Sequence, residues 1–156
     1  MADTILAYPD PRLRQKAEPV AEITSEIRER VAGLIKLMNA DGGIGIAATQ
    51  IGWPVRIVVV KLPWPGSTNW VEADTRVLVN PEVRGAEGPT WSMEEGCLSL
   101  PGVTAEVDRP FSVAVRSTDL DGKLQWICVS GIVARCVQHE LDHLAGLLMI
   151  DRMTPV

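Results

Sequence analysis

The sequence predicts one α+β domain over residues 1–156, with antiparallel or mixed sheets packed around a central helix near the C-terminus. Three observations predict it. Strand-like segments follow one another through the middle of the chain. Helical periodicity is confined to the two ends. The last periodic segment is apolar on most sides, as a buried helix is.

The elements follow in order. "YPDPRLRQKAEPV" has three prolines and reads as an extended arm. In "TSEIRERVAGLIKLMNADGG" the residues Ile27, Val31, Leu34, Ile35 and Met38 share one helical face. Thr24 or Ser25 caps that helix and "ADGG" stops it. "GIGIAATQIG" is small and apolar, and "VRIVVVKL" is a buried strand by length and β-branching. "PWPGSTNWVEADT" is a loop. "RVLVNPEV" is a strand with a turn at Asn80-Pro81, and "WSMEEGCLSLPG" is broken by glycines and a proline. "TAEVDRP" and "SVAVRSTDLDGKLQWICVS" give two or three strands, with Asp121-Gly122 as a hairpin turn. Ser130 caps a final helix from about Gly131 to about Met149.

Composition narrows the function. Apolar residues make up 46% of the chain, enough for one core, and the net charge is −5. A nucleic-acid surface needs clustered Lys and Arg, and none is present. No basic amphipathic helix or membrane-length apolar run appears. Three cysteines and no secretory signal predict free thiols in the reducing cytoplasm.

Both histidines of the chain, His139 and His143, stand one helical turn apart in "VQHELDHLAGLLMIDRM". Residues four apart share a helix face, so both rings can reach one ion. Glu140 follows the first histidine, which completes the His-Glu-x-x-His arrangement of zinc-type hydrolases. Gly146 matches one extended form of that pattern, but its next histidine is replaced by Met149. A third ligand therefore comes from upstream, from an Asp, Glu or Cys. In "EGCLSLPG" Cys97 has polar, glycine-rich flanks, whereas Cys128 and Cys136 suit small core residues. A metallopeptidase and a non-catalytic metal-binding domain are alternative readings of the histidine pair.

"GIGIAATQ", "EGCLS" and "QHELDH", in that order, resemble the three motifs of peptide deformylases. The segment "YPDPRLR…AEPV" is also similar to that family's N-terminal part, and the loop between Leu62 and Arg76 is the least characteristic stretch. The resemblance implies that Cys97, His139 and His143 hold one divalent metal on the central helix. It implies Fe2+ in the cell, with Zn2+, Ni2+ or Co2+ as substitutes. Glu140 is the implied proton carrier, and the Gln50 amide and Leu98 N–H the implied donors to the reacting oxygen. Gly43 and Gly45 would let an extended peptide approach as an added strand. Ile44, Ile132, Cys136 and the stem of Arg135 would form the methionine pocket. Glu95 would hold the cysteine loop, and Asp142 would orient a ligand histidine. The implied partners are N-formylmethionyl nascent peptides, which would lose formate. The sequence ends "DRMTPV" without a basic tail, so ribosome docking is not carried over. The first basic residue after the cysteine motif is Arg109, so the backbone contact some members make there is not carried over either.

Overall fold

A computed structural model describes residues 3–63 and 73–154. It holds two helices and one sheet. Helix α1 spans Ser25–Ala40 and is followed by β1 (Gly45–Ala47), β2 (Ile57–Leu62), β3 (Asp74–Cys97), β4 (Leu100–Thr118), β5 (Leu124–Ser130) and α2 (Gly131–Leu144). The strands lie in the order β1-β2-β3-β4-β5, every neighbouring pair antiparallel. The α+β class holds, with a wholly antiparallel sheet. No helix among the described residues is long and apolar enough to cross a membrane.

The apolar run of β2 follows from its place between the two helices. Ile57 and Val59 pack in one cluster with Val31, Leu34 and Met38 of α1. Val58 and Val60 point the other way, to Ala134, Val137 and Leu144 of α2. A strand covered on both faces has no position for a polar residue. On α1 the Thr24 hydroxyl accepts from the Ile27 N–H at 3.2 Å, the cap the sequence predicts.

Five features differ from the sequence reading. The stretch expected as several short strands is one long ribbon of β3 and β4, bent by four register shifts. The turn expected at Asn80-Pro81 is a register shift inside β3: Asn80 takes φ +51° there, and its amide exchanges two 2.8 Å bonds with Val20. The proline-rich arm contains a short 3-10 turn, Pro11–Arg14, capped by Asp10. Cys128 is exposed, because it alternates with buried Ile127 on β5. Most of the predicted loop over residues 63–75 lies outside the described residues, and Asp74 and Thr75 already pair in β3.

The fifth difference sets the helix that carries both histidines. α2 ends at Leu144, not near Met149. The Gly146 N–H donates to the His143 carbonyl at 3.1 Å, and the Leu147 N–H to the Asp142 carbonyl at 3.0 Å. That pair of bonds is a Schellman stop, with Gly146 at φ +77°. A side chain at Gly146 would also run into the Arg14 backbone. The chain then closes in a 3-10 turn, Met149–Arg152.

Candidate metal centre and active site

The site forms where the end of β3 meets α2. Residues four apart on α2 put Arg135, His139 and His143 on one stripe. Cys136 and Glu140 lie on the stripe beside it. From β3, Glu95 and Cys97 both reach this helix. Cys97 Sγ lies 3.5 Å from His143 Nε2. One donor atom each from Cys97, His139 and His143 lies within 4.8 Å of the others.

Glu95 is the buried hub behind these donors. Its Oε1 accepts from His139 Nδ1 at 2.9 Å and Arg109 Nη2 at 2.9 Å. Its Oε2 accepts from Arg109 Nε at 2.5 Å and Arg135 Nη1 at 2.7 Å. Burial alone raises the Glu95 carboxyl, but the bonds from Arg109 and His139 outweigh it and hold it at about 2. An ionised Glu95 only accepts, so His139 donates through Nδ1 and presents Nε2 to the site. Burial lowers His139, yet its bonds to Cys97 and Glu95 prevail and raise it to about 10. The neighbouring anionic groups therefore favour positive charge at His139. Burial pushes His143 down to about 3, which keeps that ring neutral with a free lone pair.

Glu140 is fully buried in the same wall. Burial lifts its carboxyl to about 7, against the pull of His139 and Arg109. Its Oε2 is buried without a hydrogen-bond partner. The other side of Glu140 is pressed against Gly45 of β1, where an added Cβ would lie 2.8 Å from Glu140 Cγ. Gly43 is packed in the same way, its Cβ position 2.8 Å from Leu98 Cδ1. Both glycines thus serve close packing of the site's own walls.

Gln50 is buried in the 3-10 turn after β1. Its Oε1 accepts from the Ala47 N–H at 2.9 Å, which fixes the amide. Its Nε2 donates to Ser99 Oγ at 3.1 Å and lies 3.7 Å from Cys97 Sγ. Beside Cys97 opens a cleft of about 610 Å³, whose lining does not include Gln50, Ser99 or His143. Gly43, Ile44, Gly45, Leu98, Ile132, Arg135 and Cys136 all line it, with Cys97, His139 and Glu140. Ile132 is 45% exposed at the rim. Burial, then the nearby Glu140, raises Cys136 to about 12, so it stays a neutral thiol.

Two expectations need correction. Asp142 does not touch a histidine; it pairs with Arg109 at 2.9 Å and with Arg152 at 2.6 Å. The carboxylate that bonds a histidine of the pair is Glu95, at His139 Nδ1, so it does more than hold the cysteine loop. The Arg135 guanidinium is buried and committed to Glu95, to the Val107 carbonyl at 2.8 Å and to the Trp91 carbonyl at 2.6 Å. Only its stem is left to the cleft. Ser99, Arg109 and Arg152 were not assigned to the site by the sequence. Their partners lie 10 to 49 residues away in the chain, beyond the reach of a helical or strand period, so no local pattern marks them.

The donor set fits a divalent cation. One thiolate and two imidazoles suit zinc or ferrous iron, and three protein ligands leave a position for chemistry. The orphaned carboxylate oxygen of Glu140 beside them is the group such a centre needs. Fold and site together define a class: a metal-dependent hydrolase built on a His-Glu-x-x-His helix, with a cysteine from a strand end beside the two histidines.

The sequence profile of the polypeptide deformylase family matches residues 2–156. A peptide deformylase of Desulforudis audaxviator is 43% identical over 97% of this chain and 94% of its own length. The crystal structure of a Thermotoga maritima peptide deformylase superposes with a TM-score of 0.89 at 32% identity, covering 99% of each chain. A Synechococcus elongatus peptide deformylase, solved in complex with actinonin, gives 0.89 at 36% identity over 98% of this chain and 79% of its own. The chain belongs to the peptide deformylase family, metal-dependent hydrolases that remove the formyl group from N-formylmethionyl peptides and release formate.

Proposed function

We propose that residues 1–156 act as one domain whose deformylase centre is Cys97, His139 and His143 around one divalent metal, with Glu140 as the proton carrier. The observation that carries this reading is the meeting of those three donors within 4.8 Å, beside the unpartnered carboxylate of Glu140. When bound, the cation supplies Lewis acidity and brings the pKa of water from about 15.7 towards 7.

The chain's own residues do the rest. Glu140 takes a proton from the attacking water and delivers it to the departing amine. A carboxyl lifted to about 7 by burial suits a group that must both accept and release a proton near neutrality. The Gln50 amide and the Leu98 backbone N–H donate to the formyl oxygen as it gains charge. One such donor is worth about 2.7–4 kcal/mol of barrier. Because Gln50 Oε1 is held by Ala47, its Nε2 is aimed without a search through rotamers. Ile44, Ile132, Cys136 and the Arg135 stem supply the apolar wall for the methionine side chain. β1 is the last strand of the sheet on its side, and an extended peptide would add there as a further antiparallel strand.

The ion in the cell is Fe2+ in this reading, with Zn2+, Ni2+ or Co2+ able to replace it. Its substrates are N-formylmethionyl nascent peptides, and it works in the cytoplasm. The test is formate release from a formyl-Met peptide and its unformylated counterpart, with protein prepared anaerobically and its metal content measured. Formate from the first alone is expected, with inhibition by actinonin. Folded, metal-loaded protein that releases no formate would overturn the reading. Full activity of the iron form after long aerobic storage would overturn the iron assignment.

A further inference from the structure

The bonds that hold His139 do not end at Glu95. Arg109 is 3% exposed and its guanidinium bridges two carboxylates. Nε and Nη2 grip Glu95, while Nη1 reaches 2.9 Å to Asp142 Oδ2. Asp142 is held in turn from outside. Arg152 donates through Nε at 2.6 Å to Oδ2 and through Nη2 at 3.0 Å to Oδ1, a two-pronged pair. Arg152 comes from the 3-10 turn that follows the Schellman stop, and its side chain is 46% exposed. It lines a separate surface cleft of about 430 Å³, along with Arg56, Asp108 and Asp142. None of the metal donors lines that cleft.

We propose that Arg152 is a positioning residue for the metal centre, acting from the far side of α2 through Asp142, Arg109 and Glu95 on His139. The inference rests on the metal centre proposed above. The physical reason is competition for one guanidinium. Asp142 takes two bonds from Arg152 and so needs only one from Arg109. Without Arg152, Asp142 keeps its charge in a largely buried place and has Arg109 as its remaining cation. Arg109 is drawn towards it and away from Glu95. Glu95 then holds His139 Nδ1 less firmly, and the ring that presents Nε2 to the cation gains freedom.

Loss of a residue that directly orients a metal ligand costs about 10–100-fold in affinity. Arg152 acts through three intermediaries, so a smaller effect is expected, about 3–10-fold. The experiment loads the full chain with Zn2+ and follows metal release to a coloured chelator. It is done on wild type, Arg152→Ala, Arg152→Lys, Asp142→Asn and the Arg152→Ala/Asp142→Asn pair. Melting curves of the metal-free proteins accompany it. Arg152→Ala should release metal about 3–10-fold faster, and Arg152→Lys, which keeps the charge but loses the fork, should fall between. The double variant should release at the rate of Asp142→Asn alone, since Arg152 has no other route to the site. The Co2+-loaded protein should show shifted visible bands in Arg152→Ala.

A lowered melting temperature with unchanged release would overturn the inference, because it would show a merely structural ion pair. So would two single-variant effects that multiply in the pair. If wild-type protein takes up no metal, the metal centre itself falls and this inference with it. If wild type holds metal and Arg152→Ala releases it at the same rate, only the role of Arg152 is lost.

Discussion

Gly45→Ala is the smallest perturbation that reaches the proposed proton carrier without touching a metal ligand. The added methyl carbon would lie 2.8 Å from Glu140 Cγ, 3.1 Å from Cδ and 3.0 Å from Oε1. Carbon atoms pack at about 3.5–4.0 Å, so the gap must open by about 0.7 Å or more. Gly45 is not among the residues with positive φ, so alanine meets no backbone penalty there. Its backbone is held by pairing with Val60 in β2, and α2 by its packed core. The Glu140 side chain is therefore the part that moves. Overpacking of this kind costs about 1–3 kcal/mol, or roughly 2–10 °C in melting temperature. A shift of about 1 Å in a reacting group costs about 100-fold in rate. The assay measures kcat for formate release, bound metal per chain and the melting curve. A rate loss of about 100-fold with one metal still bound is expected. Full kcat in a folded, metal-loaded Gly45→Ala protein would refute the close packing of Gly45 on Glu140 and the role given to that carboxylate.

Three further outcomes follow from the same geometry. Glu140→Gln should lower kcat by about 100–10,000-fold while metal content stays at the wild-type level, because Glu140 is not among the donors. Chelation should lower the melting temperature and metal return should restore it. A metal present at about 100 times its Kd contributes about 2.7 kcal/mol, and Cys97→Ala should abolish that response. Asp151 titrates below its ordinary value of 3.8: burial raises it, but the ion pair with Arg14 and the Leu148 N–H outweigh burial. A lowered folded value means the stabilisation is complete above the ordinary carboxylate value and is lost as pH falls through the folded one. The wild type should thus melt about 1–2 °C above Asp151→Asn at pH 6, a gap that closes in scans run below pH 3.8.

Local patterns carried much of this molecule. The α1 face and its Thr24 cap, the buried β2 and the Asp121-Gly122 turn could be read because period, capping and turn chemistry act over a few residues. The long β3–β4 ribbon could not, because its bulges depend on partners across the sheet. The end of α2 was misplaced for a similar reason. The apolar pattern runs on past Leu144, and only Gly146 marks the stop, enforced by contact with the distant Arg14 backbone. At the site, the His-Glu-x-x-His spacing shows itself, while Cys97 needed its motif and the family resemblance. The Glu95–Arg109–Asp142–Arg152 chain was hidden because charged residues in strands normally face solvent. Asp142 looked like the ligand-orienting carboxylate by sequence proximity. Glu95 takes that place through a contact spanning 44 residues.

The reason the third donor comes from a strand lies in the spacing of the two elements. Four residues of helix rise about 6 Å, and two residues of strand about 6.6 Å. A strand laid along α2 can therefore meet successive turns of one helical stripe with alternate residues. Glu95 meets His139 while Cys97 meets His143, each pair at hydrogen-bond or near-ligand distance. Arg135, one turn earlier on the same stripe, closes on Glu95 from the other side. Along this stripe the helix offers no further donor. The next position on the stripe is Leu147, beyond the Schellman stop, and the preceding one is the arginine that neutralises Glu95. One carboxylate and one thiol two residues apart thus do complementary work: the first fixes a ring from behind, and the second completes the proposed donor set in front.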